Sequence, residues 1–124
     1  MTIFVDSDIL IEVSRGHNLA IRSIWESLCE SDTIIFYSPV SAAELWAGAH
    51  PNEFDSITEL FESLDCIPIE HSIGEQAGAF MRTFGKSHNL KLGDALIAAS
   101  VVHTKAVLWT RNRKHYPMNE VTFY

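Results

Sequence analysis

Four polar residues stand where an alternating α/β chain places its chemistry. Asp6 follows the apolar run Ile3–Val5, Glu44 lies in the Ala-rich stretch Ser41–Ala49, Asp94 is the sole charge between Leu92 and Val102, and Asn112 follows Trp109-Thr110-Arg111. Taken singly, Asp6 and Asp94 read as helix N-caps and Glu44 as a solvated helix residue. Taken together they ask for more, because a charge embedded in an apolar element needs a partner or a cation. Grouped carboxylates also repel one another, which raises their pKa values unless a cation holds them. Oxygen donors without a Cys or His cluster suit a hard ion, Mg²⁺ or Mn²⁺, and not zinc. Such an ion screens phosphate charge, activates water and stabilises a leaving oxygen, the needs of phosphodiester hydrolysis.

The elements that must position these residues follow from periodicity. Ile3–Val5 and Thr33–Tyr37 read as buried strands, Ile67–Ile69 as an edge strand because of Pro68, and Ala106–Trp109 as a further strand, with Val121–Phe123 a short last one. Between them lie helical stretches: Ile9–Val13; a segment with Ile21, Ile24, Trp25 and Leu28 on one face; Ser41–Ala49; a segment carrying Phe54, Ile57, Leu60, Phe61 and Leu64; Ser72–His88; and an apolar helix Ala95–His103 opened by Asp94. Strands alternating with helices of this length imply βαβ units and a parallel sheet covered on both faces. In such sheets ligands bind beyond the carboxyl ends of the strands, which is where Asp6, Glu44, Asp94 and Asn112 would gather.

Composition narrows the classes. The 124 residues form one domain, residues 1–124, and 47% hydrophobic with 20% charged residues excludes wholesale disorder. No apolar run reaches the roughly 20 residues of a membrane span. Cys29 and Cys66 are far apart in sequence, so no disulfide scaffold or zinc knuckle is expected and a reducing cytoplasm is the expected location. The formal charge of −7 argues by itself against a nucleic-acid binder. Its distribution does not: residues 1–80 hold fourteen acids and two basic residues, whereas residues 81–124 hold seven basic residues and two acids.

The motifs resemble a known family. Phe4-Val5-Asp6-Ser7-Asp8-Ile9-Leu10, Ser41-Ala42-Ala43-Glu44-Leu45, Gly93-Asp94-Ala95-Leu96-Ile97-Ala98-Ala99 and Thr110-Arg111-Asn112-Arg113-Lys114-His115-Tyr116-Pro117 are together similar to the PIN-domain nucleases, and most of all to the VapC-type toxins of type II toxin–antitoxin pairs. The resemblance implies a Rossmann-like three-layer α/β/α sandwich with a central, mainly parallel sheet. It implies Mg²⁺-dependent endoribonuclease activity, with Mn²⁺ as a substitute, an RNA substrate, a cognate antitoxin and a homodimer. Position by position, Asp6 and Asp94 match the metal-binding acids and Glu44 the helix-borne acid. Asn112 stands where many members carry Asp, so it is assigned to hydrogen bonding with water or phosphate. Asp8 occupies a position often held by Asn, which makes it a candidate to supply some of the charge missing at Asn112, but the preferred reading is a second polar residue at a helix start. Thr110 and Ser7 are expected to orient the carboxylates. Arg111, Arg113 and Lys114 are candidates for binding the phosphates of the substrate, with Lys86 and Lys91 behind them. His115 reads as a packing residue and Trp46 as a candidate antitoxin contact.

Two other readings stay open on the residues alone. Asp6-Ser7-Asp8 is the D-x-D of a haloacid-dehalogenase-type phosphatase with Asp6 as nucleophile, although Leu10 stands where that motif has Thr. A non-catalytic acidic α/β binding module is the other, favoured by the carboxamide at Asn112.

Overall fold

The computed structural model describes all of residues 1–124. Four strands, β1 (Thr2–Val5), β2 (Ile34–Tyr37), β3 (Asp65–Cys66) and β4 (Val107–Trp109), form one parallel sheet in the order β3-β2-β1-β4. The helices are α1 (Ser7–Arg15), α2 (Leu19–Cys29), α3 (Pro39–Ala47), α4 (Phe54–Glu62), α5 (His71–Phe84) and α6 (Leu92–Thr104), with short 3₁₀ turns at Pro51–Glu53 and Arg113–His115.

Alternation along the strands makes the three layers. Ile3 and Val5 join Ile9, Leu10, Ile21, Leu28, Ile35, Leu45, Ile57 and Trp109 on one face, where α1, α2 and α4 lie. Phe4 and Leu108 point the other way, into the apolar layer of α5 and α6. Ile3, Phe4 and Val5 are all fully buried, the signature of a strand covered on both sides. The sandwich is therefore the α/β/α one expected.

Local chemistry sets most element ends. Asn18 caps α2 through a 3.0 Å bond from the Ile21 amide, and Gly16, at φ 70°, takes the left-handed turn that closes α1. Pro39 occupies the first position of α3 behind the Ser38 cap, so this helix begins two residues before the expected Ser41 and stops at Ala47, ahead of Gly48. Helix α6 begins at Leu92, not at Asp94, and Asp94 makes no cap. Its carboxylate is thus free for another role.

Two strands differ from expectation. β3 lies at Asp65–Cys66, before the expected Ile67–Ile69, because the ladder gains only the Ile67 amide bond to the Tyr37 carbonyl (2.9 Å) before Pro68, which has no N–H. Val121–Phe123 supplies a single parallel bridge, Leu108 to Phe123, held by Leu108 N–H to Thr122 O (2.8 Å) and Tyr124 N–H to Leu108 O (2.9 Å). α5 ends at Phe84, short of the expected His88.

The chain runs outward from β1 to β2 and β3, then crosses to β4 on the opposite side of β1. That reversal opens a crevice between the carboxyl ends of β1 and β4. Replacing Leu108, fully buried in the sheet beneath the crevice, by Ala is expected to cost about 2–5 kcal/mol of stability in urea unfolding. Ile24→Ala, at a position 39% exposed, is expected to cost less than about 1 kcal/mol.

Candidate functional site

Asp6 and Thr110 leave neighbouring strands in step. The register Val5↔Trp109 sets them side by side, and the Asp6 amide donates to the Trp109 carbonyl at 3.0 Å. The Thr110 hydroxyl donates to Asp6 Oδ2 at 2.9 Å, as expected of an orienting hydroxyl. The phenol of Tyr116 donates to the same oxygen at 2.8 Å, and the Ser7 amide donates to Oδ1 at 2.7 Å. Three donors therefore fix a carboxylate that is 7% exposed. Oδ2 takes two of these bonds and Oδ1 one, so a lone pair of Oδ1 remains open to a ligand.

Asp8 is more than a polar residue at a helix start. Its Oδ1 accepts from the Ile9 amide at 2.8 Å, while Oδ2 accepts from the Arg111 amide at 2.8 Å and from Asn112 Nδ2 at 3.1 Å. Asn112 in turn donates its backbone N–H to the Thr110 hydroxyl at 3.0 Å. One short loop after β4 is thus bonded to both acids that follow β1.

Glu44 and Asp94 approach from two helices. Ser7 Oγ bonds Ser41 Oγ at 3.1 Å, tying α1 to α3 one turn below Glu44. Gly93 faces Val40 where α6 meets α3, and a Cβ there would lie 3.4 Å from Val40 Cγ1, in ordinary contact. Burial raises the pKa of Glu44, a bond from Ser7 opposes the rise, and the charges of Asp6, Asp94 and Asp8 add to it. Asp94 is raised by burial and then by Asp6, against smaller lowering effects of His115, Lys91 and a Tyr116 bond. Asp8 is raised by burial and by Asp6, against its two amide bonds and Arg111. Burial and the same acids push the Tyr116 phenol far up, so it stays protonated and keeps donating. The fold thus brings Asp6, Asp8, Glu44 and Asp94 close enough to act on one another's charge, and Asn112 joins them through its bond to Asp8.

Two residues take roles that the sequence reading did not assign them. Tyr116 is buried with its hydroxyl on Asp6, a role visible only as a tyrosine shortly after the Thr110–Asn112 motif. His115 lies with Nδ1 3.7 Å from Asp94 Oδ2 and is 48% exposed, so it edges the site and does not pack into the core. The basic residues are less free than expected. Arg111 donates to Glu12 Oε1 at 3.1 Å, and Arg113 donates to the Tyr124 carbonyl at 3.1 Å with its guanidinium 5.1 Å from the Phe123 ring centre. Lys114 is exposed and takes part in none of the chain's ion pairs.

Residues 3–121 match the PIN domain family. The chain belongs to the PIN-domain family. Ribonuclease VapC10 of Mycobacterium tuberculosis is 39% identical to it over 119 residues, 95% of this chain and 88% of that protein. Among solved structures, VapBC2 of Rickettsia felis, bound to a DNA fragment from the promoter of its own genes, shares the fold at a TM-score of 0.80 and 21% identity, covering 100% of this chain and 98% of that one. VapC20 of Mycobacterium tuberculosis, a toxin that cleaves the sarcin–ricin loop, does so at a TM-score of 0.71 and 14% identity, covering 97% and 98%.

The donor set of this PIN domain fits a hard divalent cation. Carboxylates and a carboxamide meet at one sheet edge, and the acids raise one another's pKa in a way that a bound cation would reverse. No three His, Cys, Asp or Glu side chains already close on a single point. Such a loosely spaced donor set suits Mg²⁺, which keeps several waters and takes only one or two carboxylates.

The sign of the charge repulsion is testable. A carboxylate raised in the folded state binds its proton more tightly there than in the unfolded chain, so its contribution to stability is fully present below the ordinary carboxylate pKa. It is lost as pH rises through the raised value. Without metal, Asp94→Asn is expected to raise the melting temperature by a few degrees at neutral pH, and the advantage is expected to vanish on acidification below the ordinary carboxylate range. Calorimetric melts across that range in EDTA measure both. Tyr116→Phe removes a buried donor to Asp6 and is expected to cost about 1.5–3 kcal/mol in urea unfolding.

Proposed function

We propose that this chain is a Mg²⁺-dependent endoribonuclease and the toxin of a type II toxin–antitoxin pair. The observation that carries the reading is the meeting of Asp6, Asp8, Glu44, Asp94 and Asn112, drawn from four elements, at the crevice between β1 and β4. The 39% identity to a ribonuclease over 95% of the chain supports the same reaction and favours it over a binding module without activity.

In this reading Asp6 and Asp94 hold the cation, with Mn²⁺ as a substitute for Mg²⁺. Glu44 completes the negative field, and Asn112 hydrogen-bonds water or phosphate. The bound ion supplies screening of phosphate charge and a lowered pKa of water. Water attacks the phosphorus in line, its proton is released, and the 3′-oxygen leaves and takes up a proton, giving a 5′-phosphate and a 3′-hydroxyl. Thr110, Tyr116 and the Ser7 amide hold Asp6 in one orientation throughout, which spares the transition state that reorganisation. Of Arg111, Arg113 and Lys114, Lys114 is the one left free to bind a flanking phosphate, and Lys86 and Lys91 are equally unpaired. Arg111 and Arg113 contribute more by bracing the loop that carries Asn112.

The partner reading is supported by solved neighbours that include VapBC2 of Rickettsia felis and a toxin–antitoxin complex from Klebsiella pneumoniae. A cognate antitoxin, a homodimer and a cytoplasmic setting are proposed accordingly; no helix is long and apolar enough to cross a membrane.

Purified protein is expected to cut structured RNA in Mg²⁺ and to stop on addition of EDTA. Asp6→Asn and Asp94→Asn are each expected to lower cleavage by about 100- to 1,000-fold or more while the circular dichroism of the fold is kept. Full activity in both variants would overturn the assignment.

A further inference from the structure

Resting on the metal-dependent reading above, the structure raises a second question at position 112. The other acids of the site are charged groups, whereas the loop after β4 presents a carboxamide. The geometry of Asp8 answers it. Helix α1 is already capped by Asp6, so a second acid two residues on, half-buried beside a like charge, is not needed to start the helix. Its long-range bonds go instead to the loop after β4: Arg111 N–H at 2.8 Å, Asn112 Nδ2 at 3.1 Å and the Thr110 hydroxyl at a long 3.5 Å. With Nδ2 of Asn112 engaged, the carboxamide oxygen is its remaining polar end, and that end can only accept.

We propose that Asp8 and Asn112 act as one unit. Asp8 is a positioning residue that carries the negative charge for both positions, and its bond fixes the Asn112 carboxamide with the oxygen as the end offered to the cation and its waters. The pair holds a single charge in a hydrogen-bonded carboxylate–carboxamide couple. Exchanging the two residues keeps one acid and one amide, at the cost of one acceptor for the Ile9 or Arg111 amides, which stay with position 8. A plain structural role for Asp8 gains nothing from the exchange, because an acid at position 112 cannot replace those amide bonds.

The experiment is a double-variant cycle on the whole protein, read by Mn²⁺ binding from the electron paramagnetic resonance of the free ion, with melting temperature and RNA cleavage alongside. Asp8→Asn is expected to weaken Mn²⁺ binding by about 10- to 100-fold. Asn112→Asp sets two carboxylates about a hydrogen-bond length apart, so it is expected to lower the melting temperature in EDTA and to regain it with Mn²⁺. The double variant Asp8→Asn/Asn112→Asp is expected to regain part of the loss and bind Mn²⁺ within about 10-fold of the wild type. Should Asp8→Asn not fold, the double variant alone decides. Unchanged binding in Asp8→Asn, or a double variant more than about 10-fold weaker than the wild type, overturns the pairing while leaving the nuclease reading in place. A wild type that binds no Mn²⁺ overturns the metal-dependent reading and the pairing with it.

Discussion

Carboxylates gathered at one edge of a sheet repel one another, and much of this structure is a means of holding them there. Asp6 is the fixed member. It is bonded by Ser7, Thr110 and Tyr116, which come from the start of α1, the exit of β4 and the turn beyond it. The polar residues buried around it, Ser7, Ser41 and Thr110, all have partners, and no buried side-chain polar atom is left without one. Such a network keeps a shape that electrostatics alone would open. A cation then meets an arrangement whose repulsion was offset during folding, and its binding energy is not spent on assembling the ligands.

The parallel sheet is what lets distant residues share that edge. Positions 6 and 110 are far apart in sequence and adjacent in register, because β1 and β4 pair directly. Packing does the same for the helices. Gly93 of α6 faces Val40 of α3, and the Ser7–Ser41 bond holds α3 against α1.

The sandwich and its site were legible to different depths. Apolar runs with β-branched residues marked β1, β2 and β4, and the helical periods were strong enough to place every helix. β3 was displaced because a two-residue edge strand carries almost no pattern of its own, and its position is set by how far β2 can pair before Pro68. The acids were readable because a lone charge in an apolar helix, such as Asp94, is conspicuous. Tyr116 and Asp8 were not, since their roles depend on hydrogen bonds spanning 102–110 residues. Arg111 and Arg113 showed the reverse. Their charges were plain in the sequence, and their partners Glu12 and Tyr124 were not.

The ends of the sheet carry a consequence of a different kind. An open strand edge is a template on which another chain can add a strand, and proteins that leave one bare tend to aggregate. Here β3 is only two residues long with Pro68 just beyond it, and the outer side of β4 is occupied by the Phe123 bridge and its flanking bonds. Neither side leaves a ladder long enough to extend. Self-association of the folded chain must therefore go through its helices, and the short segment at Val121–Phe123 serves less as a strand than as a stopper.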